Sequence, residues 1–447
     1  AFDGIEADSG ALTIYNFNDS SNIKFAKRAS TDTTQVSKGE RTPYNDIAKG
    51  LYKQLNYALS TSFDVSEMNI SYADSGYTTQ VHIPSMNYDR KNLSALIINP
   101  DNYDTLTIAG EVLQKGKRYS YTLNHTGKAA TYLAFLNRPE GPKFNFNTIQ
   151  GEVQIEPGSE FSLTFNGNAT NLHMYHWRLA QEDVVFDKLQ GSAVINITDD
   201  KVELDSASTV TINSTPVKLF AQYQRAPQQV FTYSITMPEV VADTFFTSLP
   251  GGMFNTLKGI SATGTLAYRI YLQLPLQNPD SLIFDSKMTK KDFRIVRFGK
   301  ENYTRINGTF DYEAMDKDRL VRMITVGYEN PSFTPIGQIS PYLIGAVLQS
   351  EDPSFLQHRG FLEEAFRESI IKNYKEKRFA RGGSTISMQL VKNVFLSRDK
   401  TVSRKAEEAL IVYLIENTGL VSKERMLEVY LNVIEWGPNI YGIGEAS

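Results

Sequence analysis

The chain has 447 residues, a formal net charge of −4, 41% hydrophobic and 21% charged residues, and no cysteine. That length allows two or more domains with at least one large core, and the composition is that of folded material. Disulfides and thiolate metal sites are excluded, and the longest apolar run, 342–348, falls far short of the ~20 residues of a spanning helix. Because the first residue is Ala1 rather than Met, a leader or membrane anchor ahead of it is expected. Charge is uneven along the chain. Between Lys372 and Lys405 ten basic residues face two acids, so this segment carries +8 and the remainder −12.

Residues 42–59 are expected to form one amphipathic helix. Thr42 can cap it, Pro43 suits the first turn, and Ile47, Leu51, Leu55 and Leu59 recur every four residues. From about 62 to 300 the period changes to two. Phe161, Leu163 and Phe165 alternate with polar residues, as do Ala193, Ile195 and Ile197. A hairpin is expected with Leu106 and Ile108 before a Lys115-Gly116 turn and Tyr119, Tyr121 and Leu123 after it. Another turn is expected at Asp199-Asp200. One helix is expected near 242–257. Residues 326–340 contain Pro331 and Pro335, have no charge after Glu329, and read as a linker.

Beyond the linker, 3.6-residue periodicity dominates. Ala406, Ala409, Leu410, Tyr413 and Leu414 make one stripe ended by Gly419; Ser422 then caps a helix carrying Leu427, Tyr430 and Leu431. The expected fold class is α+β in two parts: a long, mostly antiparallel β region over 1–325, then an all-α module over 341–447.

Four stretches of the helical module can carry chemistry. The first, QSEDPSFLQHRG at 349–360, holds Glu351, Asp352 and His358. In the second, Gly382-Gly383 frees the backbone and Ser384-Thr385 can cap a helix, presenting N–H groups and hydroxyls to an anion. Lys392 follows two turns along, and Arg404 and Lys405 stand beside Glu408 in the third. The fourth is KERMLEVYLNVIEWG at 423–437. Carboxylates in one place and an anion cradle in another suit group transfer with a phosphate leaving group. Each stretch alone also has an ordinary reading, as a surface helix end, a loop with its cap, or a solvated helix face with intrahelical ion pairs.

In order and wording, 338–447 resembles the peptidoglycan glycosyltransferases, the polymerising domain of class A penicillin-binding proteins and of monofunctional biosynthetic transglycosylases. Glu351, Asp352, Phe355, His358 and Gly360 match the first family motif. Gly382, Gly383, Ser384, Thr385, Ile386, Gln389, Lys392 and Asn393 match the second. Arg404, Lys405 and Glu408 match the third; Leu427, Glu428, Tyr430, Leu431 and Asn432 match the fourth. The wording EWGPNIYGI is similar to the monofunctional branch. Lys400 stands where many members carry Arg, which keeps the cation and loses the bidentate fork. The family continues beyond the point matching Ser447, so an incomplete domain is expected.

The resemblance implies a lysozyme-like helical fold and, as substrate, lipid II and the growing glycan strand on undecaprenyl pyrophosphate. It implies Glu351 as general base supported by Asp352, and Glu408 with Lys392, Lys400, Arg404 and Lys405 as the pyrophosphate site, directly or through a divalent cation such as Mg²⁺. Phe355, His358, Gly383, Ser384, Thr385, Gln389, Asn393, Glu428 and Asn432 are implied as substrate-binding; no protein-caged metal is expected. The setting it implies is the periplasmic face of a bacterial inner membrane, with other cell wall synthesis proteins as partners and no nucleic acid.

The β region is similar in texture to AsmA-like periplasmic repeats, and a platform role is expected of it. His173 and His176, three apart in a strand, point to opposite faces and are not read as a metal pair. The sequons at Asn69, Asn92, Asn168, Asn196 and Asn307 follow from a composition rich in Asn, Ser and Thr. Two other classes remain open: an envelope lipid-binding or scaffolding protein with a degenerate transferase module, and a lytic enzyme acting on the same glycan. A lytic enzyme needs a carboxylic acid and has no use for the cationic cluster.

Overall fold

The computed structural model describes residues 4–17, 20–21, 42–74, 77–100, 103–114, 116–127, 141–316, 319–378, 380 and 382–447. Lys115, Phe379 and Arg381 lie outside the described residues. Contacts divide the chain into two units. The first comprises 1–176, 183–236 and 275–277, and the second 177–182, 237–274 and 278–447.

The first unit is a running antiparallel sheet. Strand Ser62–Asp74 pairs parallel with Gly4–Phe17 and antiparallel with Tyr77–Tyr88. Asn92–Ile98, Thr105–Leu113, Arg118–Thr126, Thr148–Pro157, Phe161–Tyr175 and Val184–Ile197 then follow, each against the last. Lys201–Leu204 and Thr209–Ile212 share the next position before Thr215–Gln224 and Val230–Val241. Nearly every neighbour in space is the neighbour in sequence, as short turns between strands require. The period-two residues share one face: Ile155, Leu163, Ile195 and Leu204 stand in one cross-strand row.

Helix α1, Tyr44–Ala58, covers part of this sheet, and it corrects the expected start and inward face. Pro43, not Thr42, is the N-cap residue. Asn45 and Ala48 are its buried residues, and Tyr52 meets Phe161 edge-on at 6.0 Å, while Ile47, Leu51 and Leu55 are 46%, 62% and 41% exposed. The rotation has a local cause at the first turn. Tyr44 N–H donates to Asp199 O, Asn45 Nδ2 donates to Ser159 O at 2.7 Å, and Arg225 stacks on the Tyr44 ring. These pins turn the 45/48/52 side to the sheet, whereas a strict four-residue stripe drifts around a 3.6-residue helix.

The second unit holds a short helix, α2 (Ala242–Thr247), within the stretch where one was expected, three strand pairs, and the remaining helices; the pair Glu435–Gly437 with Ile440–Tyr441 corrects the expectation that 341–447 is all-α. Ser261–Pro275 pairs with Ile283–Arg297, and Phe310–Asp316 with Arg319–Val326. The helices are α3 (Pro341–Glu351), α4 (Glu363–Glu376), α5 (Ile386–Phe395), α6 (Val402–Thr418), α7 (Lys423–Val433) and α8 (Ile443–Ala446). Helices thus cluster at the C-terminal end of a chain otherwise rich in strands.

One core runs through this unit from Met237 to Ile443. It joins Leu257, Tyr303, Ile306 and Val326 to Ile386, Ile411, Leu414 and Leu431. The contacts therefore do not follow a division at 326–340, because residues 237–326 pack with the helices. Nor does 326–340 run free. Phe333 and Ile339 are buried, Thr334 N–H donates to Asn432 Oδ1, and Ile336 N–H donates to Glu428 Oε1, each at 2.9 Å.

α6 corrects the expected stripe: Tyr413 and Leu414 are buried, but Ala406, Ala409 and Leu410 are only half-buried, and the buried face takes in Glu407, Glu408, Ile411, Val412 and Ile415 instead. Glu407 Oε1 accepts from Thr256 N–H at 2.6 Å and from Thr256 Oγ1 at 2.8 Å. At the start of α6, Val402 N–H donates to Arg178 O and Ser403 N–H to Leu179 O. Gly419 ends α6 in the left-handed region at φ +68°, and Ser422 caps α7 by accepting from Arg425 N–H.

Candidate active site

Glu351 is the last residue of α3 and is exposed; Asp352, its neighbour and the C-cap, is 2% exposed. The two adjacent carboxylates therefore face different surroundings. Asp352 accepts from His358 Nε2 at 2.9 Å and from Ile386 N–H at 3.1 Å. His358 Nδ1 accepts from Gly360 N–H at 3.0 Å, which leaves the ring proton on Nε2, facing Asp352. Gly360 sits at φ +92°, and a Cβ there would lie 2.4 Å from Val412 Cγ1, so only glycine turns the chain at this point. Phe355 is fully buried beneath Lys423 Nζ, 4.2 Å from its ring centroid. The first motif is thus a folded knot that leaves one acid, Glu351, at the surface.

The second stretch is built differently from a free anion cradle. Thr385 is the N-cap of α5, its hydroxyl accepting from Met388 N–H and donating to Gly360 O. The N–H of Ile386 is taken by Asp352, so the protein's own carboxylate fills the N-terminus of α5. Ser384 Oγ accepts from Lys405 Nζ at 3.1 Å, and Gly383 lies close against α4, where a Cβ would meet Ala365 O at 3.1 Å. One turn along α5, Gln389 Nε2 donates to Glu351 Oε2 at 2.9 Å.

Cations gather around Lys392. Arg404 Nη1 and Lys405 Nζ donate to the two oxygens of Glu408 at 2.8 and 2.5 Å, and Glu408 is 1% exposed. This is the intrahelical ion pairing expected of α6, but with its carboxylate buried while the Lys405 side chain stays 42% exposed. Arg398, whose guanidinium donates to Asn393 Oδ1 at 2.9 Å and to Tyr312 Oη at 3.2 Å, joins the group. Burial and the charges of Arg398, Arg404 and Lys405 push the Lys392 ammonium below its ordinary pKa, against the pull of Glu408. Around Lys392 there are thus Arg398, Arg404 and Lys405 and one carboxylate, whose oxygens are both engaged. Lys400 is exposed.

Glu428 and Asn432, expected at the substrate, are engaged elsewhere. Glu428 accepts from Ile336 N–H and Arg425, and Asn432 donates to Thr334 O and Glu428 O, so both clamp the 326–340 segment onto α7. His173 accompanies Asn171 and Asp183 rather than His176. Among the described residues no group of three or more His, Cys, Asp or Glu is placed to hold a metal ion.

Sequence reasoning did not single out Arg398, which could have been found as part of the cation-rich stretch, or Tyr430 as a site residue, though its motif was read. Nothing local marks Glu407, whose partner Thr256 lies more than a hundred residues away, or the bond from Arg425 to Ile306 O.

Residues 317–447 match the family model described as transglycosylase. A biosynthetic peptidoglycan transglycosylase of Nitrosomonas eutropha is 46% identical over 132 residues, 28% of this chain and 53% of the relative. Proteins of the same name from Nitrosospira multiformis and Laribacter hongkongensis are each 50% identical, over 113 and 111 residues, covering 25% of this chain and 48% of the relative. The chain spans about half the length of the curated relatives it matches.

Proposed function

We propose that this protein is a peptidoglycan glycosyltransferase that polymerises lipid II into glycan strands. The observation that carries the proposal is the pairing of an exposed, amide-held carboxylate, Glu351, with a cation cluster whose charge one carboxylate does not balance. Gln389, next to Glu351, and Lys392 lie one turn apart on α5, which links the two halves of the site. The helical module is assigned the lysozyme-like fold of the family.

In this reading Glu351 accepts the proton of the acceptor sugar's 4-hydroxyl. That oxygen forms its bond to the anomeric carbon of the growing strand as the bond to the pyrophosphate breaks, with inversion, and the electron pair leaves on the pyrophosphate. Lys392, Arg404 and Lys405 hold the departing charge, and Ser384 helps to set Lys405. Glu408 holds Arg404 and Lys405 in place from below; Asp352 and His358 fix the turn that presents Glu351. The residues do not fit a protein-held Mg²⁺, because both Glu408 oxygens already accept from cations and, among the described residues, no group of three or more His, Cys, Asp or Glu is placed to hold a metal ion. No step here runs through a metal. The cation cluster also argues against glycan hydrolysis, which releases no pyrophosphate. The test of the reading is conversion of labelled lipid II to glycan by the full-length protein; absence of polymer under conditions where a known polymerase works defeats it.

Lys392 supplies a second check. Its lowered pKa means that the buried ammonium costs stability at neutral pH, where folded and unfolded states both carry the proton. Stability is recovered as pH rises from the folded value through the unfolded 10.5. A bound polyphosphate reverses the penalty. Inorganic pyrophosphate is expected to raise the unfolding temperature of the wild type and to do so far less in Lys392→Met. The unliganded variant at pH 7 is expected to be no less stable than wild type. Equal stabilisation of both by pyrophosphate removes Lys392 from the site.

For a membrane surface, the basic residues at the end of α4 and just after it offer fewer unpaired cations than their number. Lys375 Nζ is bound at 2.7 Å by both oxygens of Asp280, and Arg378 pairs with Glu376 at 2.6 Å. Lys372 and Lys377 stay exposed beside Tyr374, which is 40% exposed. We expect Lys372→Gln with Lys377→Gln to weaken binding to anionic vesicles, at about 1 kcal/mol per cation, and salt to weaken binding of the unchanged protein. Binding indifferent to both changes rules out this face. The periplasmic setting and the platform role of residues 1–325 belong to the same proposal, in which those residues supply no catalytic group.

A further inference from the structure

Glu351 is held at one oxygen, and the group that holds it is itself held. Gln389 Nε2 donates to Glu351 Oε2 at 2.9 Å, and Tyr430 Oη donates to Gln389 Oε1 at 3.2 Å. Among the described residues no group donates to Glu351 Oε1. Tyr430 comes from α7 and is 2% exposed, so the chain of bonds runs from the packed interior to the surface acid.

A carboxamide has one accepting and one donating end. A tyrosine hydroxyl with its proton needs the first, and a carboxylate needs the second. Turned over, Gln389 would set its oxygen against the carboxylate and its NH₂ against the hydroxyl hydrogen. Burial, with the charges of Glu351 and Asp352, raises the Tyr430 pKa, so the hydroxyl keeps its proton. The α7 backbone around Tyr430 is fixed independently by the Glu428 and Asn432 clamps on 334–336.

We propose that Tyr430 is a positioning residue for the base: it fixes the orientation of Gln389, which keeps one donor on Glu351 Oε2 and leaves Oε1 to take the sugar proton. The inference rests on the glycosyltransferase reading and adds a residue that touches neither substrate nor the reacting atoms.

The experiment uses the full-length protein and lipid II. Tyr430→Phe keeps the ring and removes the hydroxyl; kcat is expected to fall about 10- to 100-fold with KM within about twofold. The acid limb of the kcat/KM profile moves to higher pH, because a carboxylate that loses a fixed donor is easier to protonate. On a Gln389→Ala background the same change costs less than about twofold, since the residue acts through that amide. A Tyr430→Phe protein with wild-type rate and an unmoved acid limb overturns the inference. So does a loss that multiplies in full on the Gln389→Ala background. If Tyr430→Phe does not fold, Gln389→Leu must show the same shift of the acid limb, and an unmoved limb there is equally fatal. A wild type that makes no glycan removes the glycosyltransferase reading and this inference with it; a Glu351→Gln protein that makes glycan normally removes the base assignment on which the inference rests; a working wild type with an indifferent Tyr430→Phe removes this inference alone.

Discussion

Glu351→Gln is expected to abolish polymerisation of lipid II while leaving the fold as it is. Glu351 is exposed, and the hydrogen bond the structure gives it is the one from Gln389. A glutamine there keeps the shape of the side chain and one carbonyl acceptor but cannot take a proton. A positioned general base contributes ~10²–10⁴ in rate, so kcat should fall by at least the lower figure. Thermal unfolding of the variant should match wild type, since no buried contact is lost. A variant that retains more than about a tenth of the wild-type rate means the base lies elsewhere. Asp352→Asn provides the contrast. That carboxylate is buried against His358 and the start of α5, so its loss should appear in stability as well as in rate.

The second large effect concerns the limits of the folding unit. A fragment beginning near Gln338 is expected not to fold cooperatively, although sequence periodicity alone places the helical module from 341 onward. Such a cut removes Leu257, Tyr303, Ile306, Ala314 and Val326, each at most 1% exposed, from the core that the helices share. Tyr303 packs edge-on against Phe395 at 5.3 Å; Arg305 donates to Val394 O, and Arg425 loses its acceptors at Ile306 and Gly308. Glu407, whose pKa burial already raises, would lose Thr256 and stand unpaired inside α6. Emptying a single large side chain from a core costs ~2–5 kcal/mol, against a total stability of ~5–15 kcal/mol. Fragments with a common C-terminus that begin at Gln338, Met237 and Trp177 would separate the cases by circular dichroism and urea unfolding. Only the longest, which restores the 178–179 pairing with α6, is expected to recover the stability that the second unit has in the whole chain. A Gln338 fragment with a sharp transition at the midpoint of the full chain would show that the helices need no strand-derived support.

Some of this was legible from residue order alone. Alternation gave the strands of 62–300, because a strand's faces repeat every two residues and its hairpin partner follows directly in sequence. Thr385, Ser422 and Gly419 marked helix ends because a cap satisfies its own first or last turn. The site residues Glu351, Gln389, Lys392 and Glu408 were named through the resemblance of their motifs to a known family, because each motif is a short run of residues. What those side chains touch was decided by tertiary structure. Asp352 fills the N-terminus of α5 across 34 residues, Asn432 clamps Thr334 across 98, and Glu407 holds Thr256 across 151. α1 turned its leucines outward because Asn45 and Tyr44 found partners at Ser159 and Asp199. Local rules act through neighbours within one turn or one hairpin. Which buried acid meets which donor depends on packing between distant segments, and so Glu351 stayed exposed with its bond from Gln389 while Asp352, one residue on, became part of the frame.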